Sequence, residues 1–107
     1  MIDVNLFDNV EKDQLVELYE YFQGLPDGDQ RRKLNEEHQE LEDELLLFDC
    51  GVGDINSVIK EIADNLILIF QHAYFLDITD TEIKSALKEK LSRTLHRKAT
   101  KYYEKHR

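Results

Sequence analysis

The run NLILIFQHAYFL, residues 65–76, is apolar almost all the way round a helical wheel. A helix without a polar face has to be covered on most of its surface, so it belongs in the middle of whatever this chain builds. It does not read as a membrane span. Its longest unbroken apolar stretch, residues 66–70, falls far short of the roughly 20 residues a span needs. A chain of 107 residues makes one domain with a modest core, burying very roughly two thirds of its unfolded surface. One such bundle does not cover a helix that is apolar all round. We therefore expect a subunit interface in a homo-oligomer, a dimer or tetramer.

Three more segments carry apolar residues at helical spacing, and their ends are marked by capping signals. Asp8 with Glu11 forms a candidate capping box for a first helix over 9–24, which GLPDGD terminates. Asp29 caps a second helix over 30–48, and the glycine-bearing turn DCGVGD leads into a third over 55–76. The fourth helix opens on ITDTEI, where Thr79 and Glu82 form a capping box and Ile78 with Ile83 a hydrophobic staple. It is expected to run on to residue 104 and fray. No internal repeat, low-complexity linker or strand alternation interrupts this pattern. Short turns between helices make neighbours antiparallel, so the expected fold is all-α, a four-helix antiparallel bundle forming one domain over 1–107.

Composition narrows the setting. The single cysteine, Cys50, has no partner for a disulfide, which fits a reducing compartment. The opening MIDVNLFDNVEKD has neither a basic n-region nor a long apolar run, so no signal peptide is expected, and the predicted location is cytoplasmic. The net charge of −9 is unevenly spread. Residues 1–83 hold 21 Asp and Glu against 5 Lys and Arg, whereas residues 84–107 hold 2 against 9. One reading is that helices of opposite sign attract each other. The sharper one is that a cation-binding acidic part works with a phosphate-binding basic part. Nucleic acid is not an expected partner, because the basic helix has no interleaved base-reading residues and the whole chain is acidic.

The acids themselves carry the next step. In NEEHQELEDELLLFD, residues 35–49, six carboxylates fall within nine positions. On a wheel of about 100° per residue, Leu34, Leu41, Leu45 and Phe48 form one stripe. Glu37 borders it at about −60° and Glu44 at about −80°, while Glu40 lies one step outside at about −120°. Glu36, Glu42 and Asp43 lie farther round. The third helix repeats the arrangement. Val58, Ile62, Leu66, Ile69 and Ala73 form its stripe, with Glu61 about 60° before Val58 and Asp64 about 120° before. Each helix thus has an acid pair at i, i+3 on the same flank of its stripe, and antiparallel packing brings both pairs to one seam.

Four carboxylates in one poorly solvated pocket repel one another. A hard divalent cation removes that difficulty. Magnesium suits an all-oxygen site that keeps positions open for water and phosphate, and manganese is accepted by the same donors. The plainer reading makes these acids a solvated face, with Glu61 and Asp64 in surface ion pairs. Di-iron chemistry is not expected, because the positions three before His38 and His72 are Asn35 and Ile69, not glutamates.

In these residues the chain resembles the MazG-like, all-α nucleoside triphosphate pyrophosphohydrolase superfamily, whose pattern is Glu-Glu-x-x-Glu, a spacer, then Glu-x-x-Asp. Here EEHQE covers Glu36 to Glu40, twenty residues intervene, and EIAD covers Glu61 to Asp64. FLDITDTEI is similar to the turn before the last helix of that family. KLSRTLHR supplies Lys90 and Arg97 at family positions, with Thr94 where the family often has asparagine. The resemblance covers residues 33–98. It implies that Glu37, Glu40, Glu61 and Asp64 ligate magnesium, with Glu36 a supporting or interface residue. It also implies cleavage of a nucleoside triphosphate between its α- and β-phosphates to give the monophosphate and pyrophosphate.

On that reading Glu37 and Glu40 are the catalytic carboxylates, and Glu40 is the candidate to orient or deprotonate the attacking water. Lys90 and Arg97 hold the pyrophosphate, with Arg93 in reserve. His72, near the same flank of the third helix, is a candidate substrate contact or a satisfied core group. Tyr19, Tyr21 and Phe22 are candidates to stack on a base or to pack in the core. Lys98, Lys101, Lys105 and Arg107 read as a solvated tail. Two other functions fit the same pattern: a phosphoribosyl-ATP pyrophosphohydrolase, and a non-catalytic helical interaction module whose acid face is a docking surface.

Overall fold

A computed structural model of the chain describes residues 6–26 and 28–105. Part of the opening read for a signal peptide, and Arg107 of the basic tail, lie outside the described residues. The fold is all-α, as the sequence pattern predicts. The helices are α1 (Asn9–Gln23), α2 (Gln30–Asp49), α3 (Ile55–Phe75), α4 (Asp80–Ala99) and a single turn, α5 (Tyr102–Lys105). Among the described residues there is no strand, and no helix is long and apolar enough to cross a membrane.

The capping signals are realised. Asp8 Oδ1 accepts from the main-chain N–H of Glu11 at 2.7 Å, and Glu11 Oε1 accepts from that of Asp8 at 3.0 Å. Thr79 and Glu82 exchange the same pair of bonds at 3.0 and 3.1 Å. The Thr79 main-chain N–H, and then its hydroxyl, hold the Glu82 carboxyl below its ordinary value. Asp29 and Asp54 accept from N–H groups two residues on and cap α2 and α3. One boundary differs from expectation. α4 stops at Ala99 instead of running to residue 104, because Lys101 takes a left-handed φ of 59° and the Thr100 hydroxyl donates to the Arg97 carbonyl.

The chain divides into two compact units, residues 7–77 with α1 to α3 and a second unit with α4 and α5. In the first, α2 and α3 are antiparallel neighbours. Contacts across their seam step in opposite directions: Gly53 with Leu47 near the turn, Asn65 with Glu37 midway, Gln30 with Leu68 at the far end. α1 covers the C-terminal half of α3, where the Tyr19 ring lies 4.4 Å from that of Phe75 and 4.8 Å from that of His72. Phe7 meets the rings of Phe70 and Tyr74.

The buried apolar core is small: Leu15, Tyr19, Val58, Leu68 and Tyr74. The sequence-based stripes are therefore only partly buried. Leu34 and Leu41 are half-buried, but Leu45 and Phe48 are more than 40 % exposed, as are Ile62 and Ile69. The reason lies in α3, which turns different faces to its two neighbours. With Val58 at zero, buried Leu68 falls at about −80° and Gln71 at about −140°. In the second unit, Ile78, Ile83, Ala86 and Leu87 line an apolar hollow of about 430 Å³ with Glu82 and Lys90 beside them.

The α2–α3 turn is a Schellman motif. The Val52 N–H donates to the Leu47 carbonyl at 3.1 Å and the Gly51 N–H to that of Phe48 at 3.0 Å. Gly51 takes a φ of 79°. Gly53 lies against the α2 backbone so closely that an added Cβ would stand 2.5 Å from the Phe48 nitrogen. Gly51→Ala should cost about 1–2 kcal/mol, the left-handed penalty of an L-residue. Gly53→Ala should cost more, because main chain has to move. Urea midpoints of the two variants against wild type test that order.

Candidate metal centre

Glu37 lies near the middle of α2, and Glu61 and Asp64 lie in the first half of α3. Antiparallel pairing from the Schellman turn puts these positions at one level of the seam. One carboxylate oxygen from each of the three lies within 4.8 Å of the others. Glu37 and Glu61 are half-buried and Asp64 is exposed, so the cluster opens to solvent on the Asp64 side. Asn65 Nδ2 donates to the main-chain carbonyl of Glu61 at 2.7 Å and to that of Glu37 at 3.0 Å.

The electrostatics register the crowding. Burial raises the Glu37 carboxyl from 4.5 to about 6, and the neighbouring Glu40, then Asp64 and Glu61, push it the same way. Glu61 is also raised, first by desolvation and then by Glu40, Asp64 and Glu44. One oxygen of each, Glu37 Oε2 and Glu61 Oε2, is buried with no hydrogen-bond partner. A buried acceptor without a donor is costly. Two of them at one all-oxygen cluster fit a hard cation better than they fit a solvated face.

The other sequence candidates are placed as follows. Glu40 stands close enough to raise both Glu37 and Glu61, although the three-residue cluster is closed by Asp64. Glu44, borderline on the wheel, acts on Glu61 as well. Glu36 turns away to Arg32 and Lys33, at 3.8 and 3.7 Å. Glu42 pairs with His38, and Asp43 accepts from Gln39. His72 lies 3.5 Å from the Tyr19 hydroxyl, which with the ring contact makes it a partner of α1. Tyr19 is buried, Phe22 half-buried and Tyr21 exposed.

The basic candidates all stand on α4, in the second unit. Arg93 pairs with Glu89 at 3.6 Å, and the Arg97 guanidinium lies 4.6 Å from the centre of the Tyr102 ring. The Thr94 hydroxyl donates to the Lys90 carbonyl one turn back, at 2.8 Å.

Sequence reasoning missed Asn65 and the amide pair of Gln30 and Gln71. Gln30 Nε2 donates to the Leu68 carbonyl at 3.0 Å, and Gln71 Nε2 to Gln30 Oε1 at 3.3 Å. The available signal was two amides, Asn65 and Gln71, in an apolar run, where a polar side chain calls for a partner; Gln30 stands among polar residues and offered none. No family model, curated protein or solved structure matches this chain.

Because the folded chain holds the Glu37 proton up to about pH 6 and the unfolded chain releases it near 4.5, the folded state binds more protons within that window. Stability contributed through Glu37 is therefore fully present below pH 4.5 and falls as the pH rises to 6. In chelator, Glu37→Gln should gain in thermal midpoint on the wild type across that window. A gap between the two that stays constant from pH 4.5 to 6 contradicts the arrangement.

Proposed function

We propose that the chain is a magnesium-dependent nucleoside triphosphate pyrophosphohydrolase. The single observation that carries this reading is the seam cluster of Glu37, Glu61 and Asp64, with buried oxygens of two of them lacking any donor. The resemblance of EEHQE and EIAD to the MazG-like pattern supports it from the sequence.

Glu37, Glu40, Glu61 and Asp64 would hold magnesium, with manganese as substitute. The bound ion supplies neutralisation of phosphate charge and a water of lowered pKa. Glu40, beside the cluster and acting on both buried glutamates, orients the water and accepts its proton. The water oxygen bonds to the α-phosphorus as the bond from that phosphorus to the α–β bridging oxygen breaks. Nucleoside monophosphate and pyrophosphate are released. Lys90 and Arg97, with Arg93 in reserve, are the cations suited to the leaving pyrophosphate.

Incubation with magnesium and a panel of canonical and modified triphosphates, with phosphoribosyl-ATP beside them, should release pyrophosphate from at least one. Orthophosphate as the sole product, or no turnover of any, defeats the proposal. Turnover of phosphoribosyl-ATP alone assigns the same chemistry to that substrate. Glu37→Gln should abolish turnover and leave the chain folded. Magnesium should raise the thermal midpoint, since it binds only the folded cluster; an unmoved midpoint favours a non-catalytic interaction module.

We further propose that the functional form is a homo-oligomer. On α3, Ile55, Ile59, Ile62 and Ile69 form one continuous stripe, between about 20° and 100° from Val58. Each is more than 40 % exposed. A second copy of the chain is the partner proposed for it. Light scattering should give a dimer or tetramer for wild type and a monomer for the Ile59→Glu, Ile62→Glu double variant. A wild-type monomer at all concentrations rules the interface out.

A further inference from the structure

A polar contact beside the acid cluster is made by an amide. Asn65 uses one nitrogen to reach two main-chain carbonyls, one on its own helix and one across the seam. Those carbonyls belong to Glu61 and Glu37, the two residues whose carboxylates carry buried oxygens without donors. Each carbonyl has a second lone pair to give. Another seam hydrogen bond between α2 and α3, Gln30 to Leu68, lies about two turns from Glu37 along α2. Apolar contacts between them tolerate small slides of one helix along the other, because they are not directional. A hydrogen bond of 3.0 Å does not.

We propose that Asn65 is a positioning residue that fixes the spacing of Glu37 against Glu61 and makes the cluster select Mg2+ or Mn2+ over Ca2+. The inference rests on the reading of the cluster as a cation site. Mg2+ demands near-ideal octahedral oxygens at about 2.0–2.1 Å, whereas Ca2+ takes more oxygens at about 2.3–2.6 Å in flexible geometry. Carboxylates carried on two separate helices meet the stricter demand only when the two backbones keep their register. Loosening the register therefore costs Mg2+ binding more than Ca2+ binding. Asparagine suits the position. Its amide reaches across the seam, whereas serine there bonds only the carbonyl one turn back on its own helix. Valine bonds neither.

The test follows the thermal midpoint against concentration of each metal alone, without nucleotide, which yields an apparent affinity. It compares wild type, Asn65→Ser, Asn65→Val and, as a seam control away from the acids, Gln30→Leu. Both Asn65 variants should bind Mg2+ about tenfold more weakly, the size typical of lost support around a ligand set. Their Ca2+ affinity should change by less than about twofold, so the ratio of the two falls. Gln30→Leu should lower the metal-free midpoint and leave the ratio unchanged. A wild-type ratio in Asn65→Ser overturns the inference, and so does an equal fall of the ratio in Gln30→Leu. Should Asn65→Val not fold, Asn65→Ser decides, since it keeps the bond within α3. A wild type that responds to no divalent cation removes the site and this inference together; a wild type that responds while the variants keep its ratio removes the inference alone.

Discussion

The pairing of α2 with α3 is the constraint on which the site depends. Asn65 holds it at the level of the acids, between the Schellman bonds at the turn and the Gln30 bonds to the Leu68 carbonyl and to Gln71 at the far end. Each has one geometry, whereas the apolar contacts between them have many. Once that register is set, the i, i+3 acid pairs of the two helices have nowhere else to go. The seam closes over one oxygen of Glu37 and one of Glu61 without giving either a donor. A buried acceptor in that state calls for an explanation, and a bound ion is one.

The charge distribution takes on a specific meaning in that light. The Glu37 and Glu61 carboxyls are both pushed up, by burial first and by other carboxylates next. Two of the basic residues, Arg93 and Arg97, have partners within their own unit, Glu89 and Tyr102. Under the proposed function an added cation would neutralise the seam and leave the carboxylates as ligands.

Helix positions were legible from the chain because caps are local. Asp8, Asp29, Asp54 and Thr79 each act within three residues of themselves, and each starts the expected helix. The acid pairs were legible because a wheel and a short turn suffice to bring Glu37, Glu61 and Asp64 together. What failed was anything that depends on a partner distant in sequence. One phase was assigned to all of α3, yet its buried face is rotated from that phase toward the flank where Leu68 and Gln71 meet Gln30 of α2, with Ile69 left exposed. The role of Asn65 was not legible in its apolar run, because its acceptor on Glu37 lies 28 residues away. The end of α4 was missed for a subtler reason: nothing in the identity of Lys101 announces a left-handed residue.

The same rotation resolves the difficulty posed by a helix that is apolar all round. α3 needs apolar residues on one face for α2 and on another for α1, and the isoleucine stripe is a third face that neither covers. Glu61 lies at about −60° and Asp64 at about −120° on the wheel that puts the stripe between about 20° and 100°. The nearest edge of the stripe is thus about 80° from Glu61 and faces away from Asp64, through which the cluster opens. A second chain seated on the isoleucines would bury the exposed Ile55, Ile59, Ile62 and Ile69 and lie on the side of α3 away from Asp64. Under the two proposals, assembly and chemistry would use different faces of one helix, so a substitution on the stripe separates the first from the second.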